Sequence, residues 1–206
     1  MKPLPLQLYE KEQILDACLA VFARHGYEKT STAMLAEAAG ISKALIFHHF
    51  KSKKGLYLSV LDRCLEKVKA ELHFDDLPEY WDFFEAIDQF SRIELDYFKK
   101  NPDEYKLLME ALYATPKELK ADIEEKMGSM MAARNKVLEQ LFDKVPLKEG
   151  VDRRQAFELI WITVKHIENK VLTEEADKTK LDEKYVERII DEMNRFLAMI
   201  RYGIEQ

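Results

Sequence analysis

Apolar residues recur every three or four positions along most of the chain, a spacing that predicts amphipathic helices. In the N-terminal part, the pattern predicts helices at 9–25, 32–39, 43–50 and 53–72. Ser31, Ser42 and Ser52 each stand directly before one of these segments, where a hydroxyl can cap the first turn. Gly26 and Gly40 follow two of them, where a left-handed residue ends a helix. Three short helices are therefore expected to lead into one long helix.

Beyond residue 72, the pattern predicts longer helices separated by brief breaks. The helices are expected at about 79–99, after Asn101, after Thr115, at about 152–173 and at 181–203, and the breaks at Asp75 to Pro78, Pro146 to Gly150 and Glu174 to Lys180. Asn101 and Thr115 each precede a proline, the usual order of N-cap and first helical residue. With only 6 Gly, 6 Pro and no alternating Val/Ile/Thr runs, the fold is predicted to be all-α.

Composition narrows the class of protein. The 206 residues are 47% hydrophobic and 34% charged, as in a globular chain with one large core or two smaller ones. No apolar run approaches the ~18 to 20 residues that span a bilayer, and Met1 to Tyr9 holds no stretch of signal-peptide length. We expect a cytoplasmic protein without a membrane partner. Cys18 and Cys64 lie inside helical patterns and are expected to be buried thiols.

Charge is divided unevenly along the chain. Residues 1–72 hold 11 Lys and Arg against 8 Asp and Glu, whereas residues 73–206 hold 21 against 30. The first part therefore carries +3 and the second −9. Between Gly40 and Lys54 there are four lysines and no acid. A small basic head on an acidic body is a pattern that favours an anionic partner for the head.

Two short helices around a glycine turn, followed by a basic stretch, are typical of a helix-turn-helix, whose second helix enters the DNA major groove. Ala36 and Ala39 are small enough for close helix crossing. Ile41 and Leu45 are expected to hold the second helix by apolar contacts. A short helix pair around a glycine is also common in proteins that bind no DNA.

The residues in and around this segment resemble a known family. The run from Gly40 to Tyr57, together with Ile14 to Phe22, His25-Gly26-Tyr27 and Ser31 to Ala39, is similar to the TetR family of bacterial transcriptional regulators. The resemblance implies a DNA-binding head at 1–52, a linker helix at 53–72 and a helical body at 73–206 that dimerises and binds an effector. It also implies a palindromic double-stranded operator as partner.

The resemblance implies DNA contacts from Ser31, Thr32, Ser42, Lys43, Ala44, Phe47, His48, His49, Lys51 and Lys53. Two departures stand out. Phe47 occupies a position where the family usually has Tyr, which removes one hydroxyl but keeps contact with thymine methyls available. The long helix begins Ser52-Lys53-Lys54-Gly55 instead of Ser-Lys-Glu-Glu, so that two lysines oppose the helix dipole. A docked phosphate would relieve that repulsion.

Two further sets of residues are expected in the body. The family likeness places the dimer interface on the last two helices, at Phe157, Val164, Val186, Ile189, Met193, Phe196, Leu197 and Ile200. An apolar, adaptable effector site would be lined by Phe84, Tyr105, Met109, Leu112, Tyr113, Met127, Met130, Met131, Trp161 and His166. Glu110, Asn135 and Asn169 are polar residues that could orient a ligand. Such stripes can equally be plain core.

Catalytic motifs and metal-ligand spacings are absent from the sequence, and no cofactor is expected. His48 and His49 are adjacent on a helix and so diverge by about 100°, which does not suit one metal ion. The predicted function is a dimeric regulator, expected to be a repressor released by a small apolar or amphipathic effector. The alternatives are a DNA-binding dimer without inducer, and a helical enzyme or ligand carrier with a coincidental helix pair.

Overall fold

The computed structural model of the protein describes residues 5–72, 82–175 and 183–206. The helices within these ranges are α1 (Pro5–Lys29), α2 (Thr32–Ala38), α3 (Lys43–Phe50), α4 (Lys53–Leu72), α5 (Phe83–Lys100), α6 (Pro102–Tyr113), α7 (Lys120–Phe142), α8 (Arg153–Glu175) and α9 (Glu183–Ile204). A single 3₁₀ turn, Lys117–Leu119, precedes α7. The all-α prediction is confirmed. The predicted break at 75–78, the start at 79 and most of 174–182 lie outside the described residues.

Most of the predicted caps are found. The Ser31, Ser42 and Ser52 hydroxyls accept hydrogen bonds from the backbone N–H three residues later, at 3.2, 3.2 and 3.0 Å. Gly26 adopts φ 72° and interrupts α1. Gly40, at φ 64°, closes α2 with the paired bonds of a Schellman motif, in which the Gly40 and Ile41 N–H groups donate to Glu37 O and Ala36 O.

Of the two helix starts predicted before a proline, the one at Asn101 is confirmed and the one at Thr115 is wrong. Asn101 does stand before Pro102 at the start of α6, but its side chain makes no capping hydrogen bond. Thr115 does not start a helix: its hydroxyl donates to Ala111 O at 2.6 Å, which satisfies a carbonyl at the end of α6. Pro116 precedes the 3₁₀ turn instead. Asn101-Pro102 and Thr115-Pro116 both mark a break between helices correctly. Neither dipeptide shows whether the side chain before the proline caps the next helix.

The described residues pack as two compact units, and the first comprises 5–68 and 101–129. Its core is built on the α1 side chains Ile14, Leu15, Cys18 and Phe22, all at most 4% exposed. Helix α6 lies along α1. Ion pairs within this unit join α4 to α6 and α7, namely Lys67 with Glu104, Lys54 with Asp122 and Lys126 with Asp62, at 2.6–2.9 Å.

The second unit comprises 69–72, 82–100, 130–175 and 183–206. Helix α9 packs on α8 and α5. The rings of Phe83, Phe142 and Phe157 meet with centroids 4.8–6.0 Å apart. Asp82 and Glu85 form a reciprocal capping box at the start of α5, with N–H to carboxylate distances of 2.8 and 3.2 Å.

The grouping by packing differs from the functional division predicted at residues 52, 72 and 73. Helix α6 and the first ten residues of α7 pack with the N-terminal helices, although the division by function assigns them to the body. Sequence patterning shows which face of a helix is apolar but not which neighbour covers it. None of the helices in the described ranges is both long and apolar enough to cross a membrane.

Candidate DNA-binding site

Helix α3 is fixed by its two ends and by one buried side. Ser42 caps its first turn, and the Lys51 N–H donates to Phe47 O at its last. Ile46 and Phe50, four residues apart and therefore on the same side of the helix, are 0% and 5% exposed. The rest of α3 faces outward: Lys43, Ala44, Leu45, Phe47, His48 and His49 are all exposed. The predicted DNA-contacting residues of α3 thus share one accessible surface.

Leu45 does not have the role that the sequence predicted. It was expected to anchor α3 by apolar contacts, but 38% of its surface is exposed. Ile46 and Phe50 provide the anchor instead. At 100° per residue, Leu45 lies on the flank of the helix opposite to Phe47, with Ala44 and His48 on the outward side between them.

The turn from α3 into α4 is unusually tight. Lys51 adopts φ 68°, a left-handed conformation that non-glycine residues seldom take. Gly55, the third residue of α4, approaches the α3 terminus so closely that a Cβ there would lie 2.1 Å from Phe50 O. A Glu at this position, which would complete a capping box, is excluded for that reason. The glycine at position 55 is therefore a packing feature of the turn.

Lys53 and Lys54, which open α4, already have partners within the first unit. Lys53 Nζ donates to Tyr27 O at 3.0 Å and Thr30 O at 3.2 Å, and lies 4.1 Å from the centroid of the Tyr27 ring. Lys54 Nζ pairs with Asp122 at 2.7 Å and donates to Glu118 O at 3.2 Å. Lys54 is thus already paired with a carboxylate, whereas the partners of Lys53 are carbonyls without net charge. Lys53 joins α4 to the end of α1.

The junction of α1 with α6 centres on Glu110. Its Oε1 accepts a hydrogen bond from the Tyr27 N–H at 2.8 Å, and its Oε2 accepts one from the Tyr57 hydroxyl at 3.3 Å. Burial raises the pKa of Glu110, and the two hydrogen bonds oppose that rise. Gly26 has a positive φ that favours glycine, and a Cβ there would lie 2.8 Å from Glu110 Oε1 and displace this carboxylate. The Tyr27 hydroxyl donates to Glu118.

Sequence reasoning missed this junction. Glu110 was singled out as a polar residue that could orient a ligand, whereas the structure uses it to hold the kink of α1. Glu118 and Asp122 were not singled out at all. The signal that was available was local: Glu110 stands on the apolar stripe of α6 between Leu107 and Ala111, both 0% exposed. A carboxylate on a buried stripe needs partners, which the sequence alone does not identify.

The remaining predicted DNA contacts surround α3. Ser31 is exposed and Thr32 half-buried at the start of α2, and the Ser31 oxygen that accepts from Met34 N–H leaves its hydroxyl hydrogen able to donate. Lys51 is exposed, with Nζ donating to His48 O at 3.2 Å. The His48 and His49 rings meet edge to face at 5.2 Å. Among the described residues, no group of three or more His, Cys, Asp and Glu side chains is placed to hold a metal ion.

The residues predicted for an effector site are divided between the two units. Tyr105, Met109, Leu112, Tyr113 and Met127 belong to the first unit, and Phe84, Met130, Met131, Trp161 and His166 to the second. Their exposure varies widely: Tyr105, Met127 and Phe84 are buried, whereas Tyr113 and His166 are exposed. Phe84 lines a groove of about 280 Å³ between α5 and α9, together with Leu197 and Arg201.

The residues predicted for a dimer interface are of two kinds. Val164, Ile189, Met193 and Leu197 are buried inside the second unit and are at most 8% exposed, so their side chains cannot meet a partner without repacking. Phe157, Val186 and Ile200 are half-buried, and Phe196 is 37% exposed. Four exposed apolar residues on the same two helices were not predicted, namely Leu159, Ile162, Met199 and Tyr202. The width of an apolar stripe does not identify which of its residues stay uncovered within the unit.

Two family models match the chain. Residues 14–60 match the model described as bacterial regulatory proteins, tetR family, and residues 81–201 match the model described as Tetracyclin repressor-like, C-terminal domain. The HTH-type transcriptional regulator RutR of Escherichia coli K12 is 27% identical over 198 residues, or 91% of this chain and 88% of RutR. The HTH-type transcriptional repressor ComR of the same organism is 35% identical over 65 residues, only 32% of this chain and 31% of ComR.

Solved structures show the same fold. The transcriptional regulator FadR of Bacillus subtilis, solved in complex with stearoyl-CoA, superposes with a TM-score of 0.63 at 18% identity and covers 92% of this chain and 96% of its own. The match of the second family model alone extends over more than half of the sequence. The chain therefore belongs to the TetR family of bacterial regulatory proteins.

Proposed function

We propose that the protein binds a palindromic operator as a homodimer, with α3 of each subunit in the major groove of one half-site. The observation that carries this proposal is the outward surface of α3, where six side chains are exposed around two buried anchors. Two such helices related by two-fold symmetry would meet successive major grooves about 34–36 Å apart.

Phosphate contacts in this proposal come from around α3 rather than from α4. Lys43 and Lys51 are exposed, and the segment between Gly40 and Lys54 has no acid to oppose a phosphate. Ser31, Thr32, Ser42 and His49 can add neutral hydrogen bonds to the backbone, which position the protein without selecting a sequence. Lys53 is proposed to act indirectly, because its ammonium group holds the end of α1 against α4.

Dimerisation is proposed through the exposed edge of α8 and α9. Leu159 and Ile162 are 47% and 59% exposed on α8, and Phe196, Met199 and Tyr202 are 37–85% exposed on α9. Apolar side chains gathered on packed neighbouring helices favour a self-complementary contact with a second copy. Ile162→Lys is expected to shift the sedimentation coefficient toward that of the monomer, whereas Ala121→Lys, on the exposed surface of the first unit, should not.

Effector binding is proposed in the second unit, where two polar atoms are buried without a hydrogen bond among the described residues. Arg134 Nε and Asn135 Oδ1, on α7, have almost no solvent-accessible surface and no hydrogen bond within the described residues. Such atoms are costly unless a water or ligand satisfies them. The Arg134 guanidinium lies 5.0 Å from the Trp161 ring. A small amphipathic molecule with a polar end would suit this set, and the same fold is known with stearoyl-CoA in Bacillus subtilis FadR.

Repression is the proposed direction of regulation, because ComR, which is 35% identical over 65 residues, is a repressor. Effector binding would then stabilise a form with weaker operator affinity, and the coupling would equal the differential affinity of the effector for the two forms.

The proposal is tested by selecting binding sites from random duplexes with the purified protein and titrating the selected duplex at several salt concentrations. Two results together support the proposed DNA-binding mode. The selected site is a palindrome, and a plot of log affinity against log salt concentration has a slope of about −0.9 per phosphate contact. A helical carrier or enzyme would yield no selected sequence. Repeating the titration with stearoyl-CoA tests induction by that compound: equal operator affinities would exclude it and favour a dimer without this inducer.

A further inference from the structure

Two large apolar side chains are exposed on the eight-residue helix α3. Leu45 is 38% exposed and Phe47 is 44% exposed, while Ile46 between them is fully buried. Among the side chains described at 11–68 and 101–129, only Tyr113 is another large apolar side chain of comparable exposure. Leu45 and Phe47 therefore flank the outward side of α3, with Ala44 and His48 between them. Neither is needed as an anchor, since Ile46 and Phe50 fill that role.

The charges around these side chains indicate the kind of surface that they meet. The segment from Gly40 to Lys54 has no acid, and an exposed lysine stands near each end of α3, at Lys43 and Lys51. An apolar pair within a positive surface fits a partner that is anionic overall but has apolar groups at its centre. Duplex DNA offers this in the major groove, where phosphates border base edges and thymine presents a C5-methyl group.

We propose that Leu45 is a specificity-determining residue that contacts the C5-methyl group of a thymine in each half-site. This inference rests on the proposed function. A leucine side chain has no hydrogen-bonding group, so among the base edges of the major groove it can favour only the apolar one, the thymine methyl. Phe47, on the opposite flank, would contact a different base pair. The operator half-site is then expected to contain two thymines with separate protein partners.

The test uses the duplex recovered by site selection and replaces each thymine of the half-site in turn by deoxyuridine. This change removes the C5-methyl group and leaves the hydrogen bonds of the base pair intact. Burying one methyl-sized group corresponds to about a four-fold change in affinity, so symmetric replacement in both half-sites should weaken wild-type binding about fifteen-fold at the Leu45 position. Leu45→Ala should bind the thymine duplex more weakly and no longer distinguish thymine from deoxyuridine there.

Phe47→Ala is the matched control. It should lose discrimination at a different thymine and keep it at the Leu45 position. Leu45 and Phe47 are both exposed, and alanine is a strong helix former, so neither variant is expected to unfold α3. Circular dichroism melting of each variant checks this.

The outcomes separate the two claims. If site selection recovers no sequence, the proposed function fails and this inference fails with it. If a sequence is recovered but Leu45→Ala retains the wild-type response to deoxyuridine at every thymine, the DNA-binding proposal holds and the role of Leu45 is overturned. Loss of the response at one thymine in Leu45→Ala, with that response retained in Phe47→Ala, supports the inference.

Discussion

Gly55→Ala is the substitution that tests the tight turn between α3 and α4 most sharply. In an ordinary helical position, replacing glycine by alanine stabilises by about 0.5–1 kcal/mol, because alanine loses less conformational entropy on folding. At Gly55 the new Cβ would lie 2.1 Å from Phe50 O, whereas real Cβ contacts essentially never fall under 3.0 Å. The carbonyl at the end of α3 must therefore move by about 0.9 Å, and it is backbone held between two helices.

The expected cost follows from these two opposing effects. Overpacking of this kind costs about 1–3 kcal/mol, and we take the upper end because the obstructing atom belongs to the backbone. Subtracting the propensity gain leaves a net loss of about 2 kcal/mol in the free energy of unfolding. For a chain of this length, that lowers the melting temperature by about 4–8 °C.

Gly128→Ala provides the control. Gly128 lies inside α7 with nothing within 4 Å of a Cβ, so alanine should raise the melting temperature by about 2 °C. Both variants are compared with wild type by circular dichroism. The two variants are expected to shift the melting temperature in opposite directions. If Gly55→Ala is as stable as Gly128→Ala, the close approach at Phe50 is wrong, and with it our reason for the missing capping-box glutamate.

Three further predictions concern side chains of the first unit. Lys51→Ala should weaken binding to every duplex and reduce the slope of log affinity against log salt by about one. Lys53→Ala should leave that slope unchanged and destabilise the fold by about 1–3 kcal/mol, because its Nζ donates to two carbonyls. Salt titrations and melting curves that show the reverse would contradict the roles proposed for these two lysines. The raised pKa of Glu110 means that the native state binds more protons than the unfolded state above about pH 4.3, so wild type should lose stability relative to Glu110→Gln as pH rises through that region. Denaturant titrations that give a pH-independent difference would refute this. Burial raises the pKa of Cys18 and of Cys64 to about 12. A disulfide reagent at neutral pH should therefore modify neither thiol until denaturant is added. Rapid labelling of the native protein would show instead that the core is open.

Local signals in the sequence were enough to predict much of the head. Ser31 and Ser42 were identified as caps, and Gly40 as the turn between α2 and α3, because each acts on atoms within a few residues along the chain. The bounds of α3 agree with the prediction for the same reason. Apolar spacing likewise identified α9, whose buried side chains recur along one stripe.

The errors concern partners that are distant in sequence. Leu45 is an apolar residue of the kind that anchors a helix, yet its side chain faces outward. Ile46 and Phe50 already fill the space behind α3. The ammonium group of Lys53 lies beside carbonyls more than twenty residues away, which spacing does not reveal, and its contact with phosphate remains a prediction. Glu110 meets Tyr27 across 83 positions. Periodicity identifies the side of a helix that a residue occupies but not the atoms opposite it. For this reason the set of residues expected to line an effector site remains a prediction.

The central claim is that α3 of each subunit in a symmetric dimer enters the major groove. Methylation interference on the selected duplex measures this directly, because methylation of guanine N7 blocks the major groove alone. The account predicts two patches of interference, related by the symmetry of the site and centred about 10–10.5 base pairs apart or a multiple of that spacing. A single unpaired patch, or a bound site that tolerates N7 methylation throughout, would contradict it.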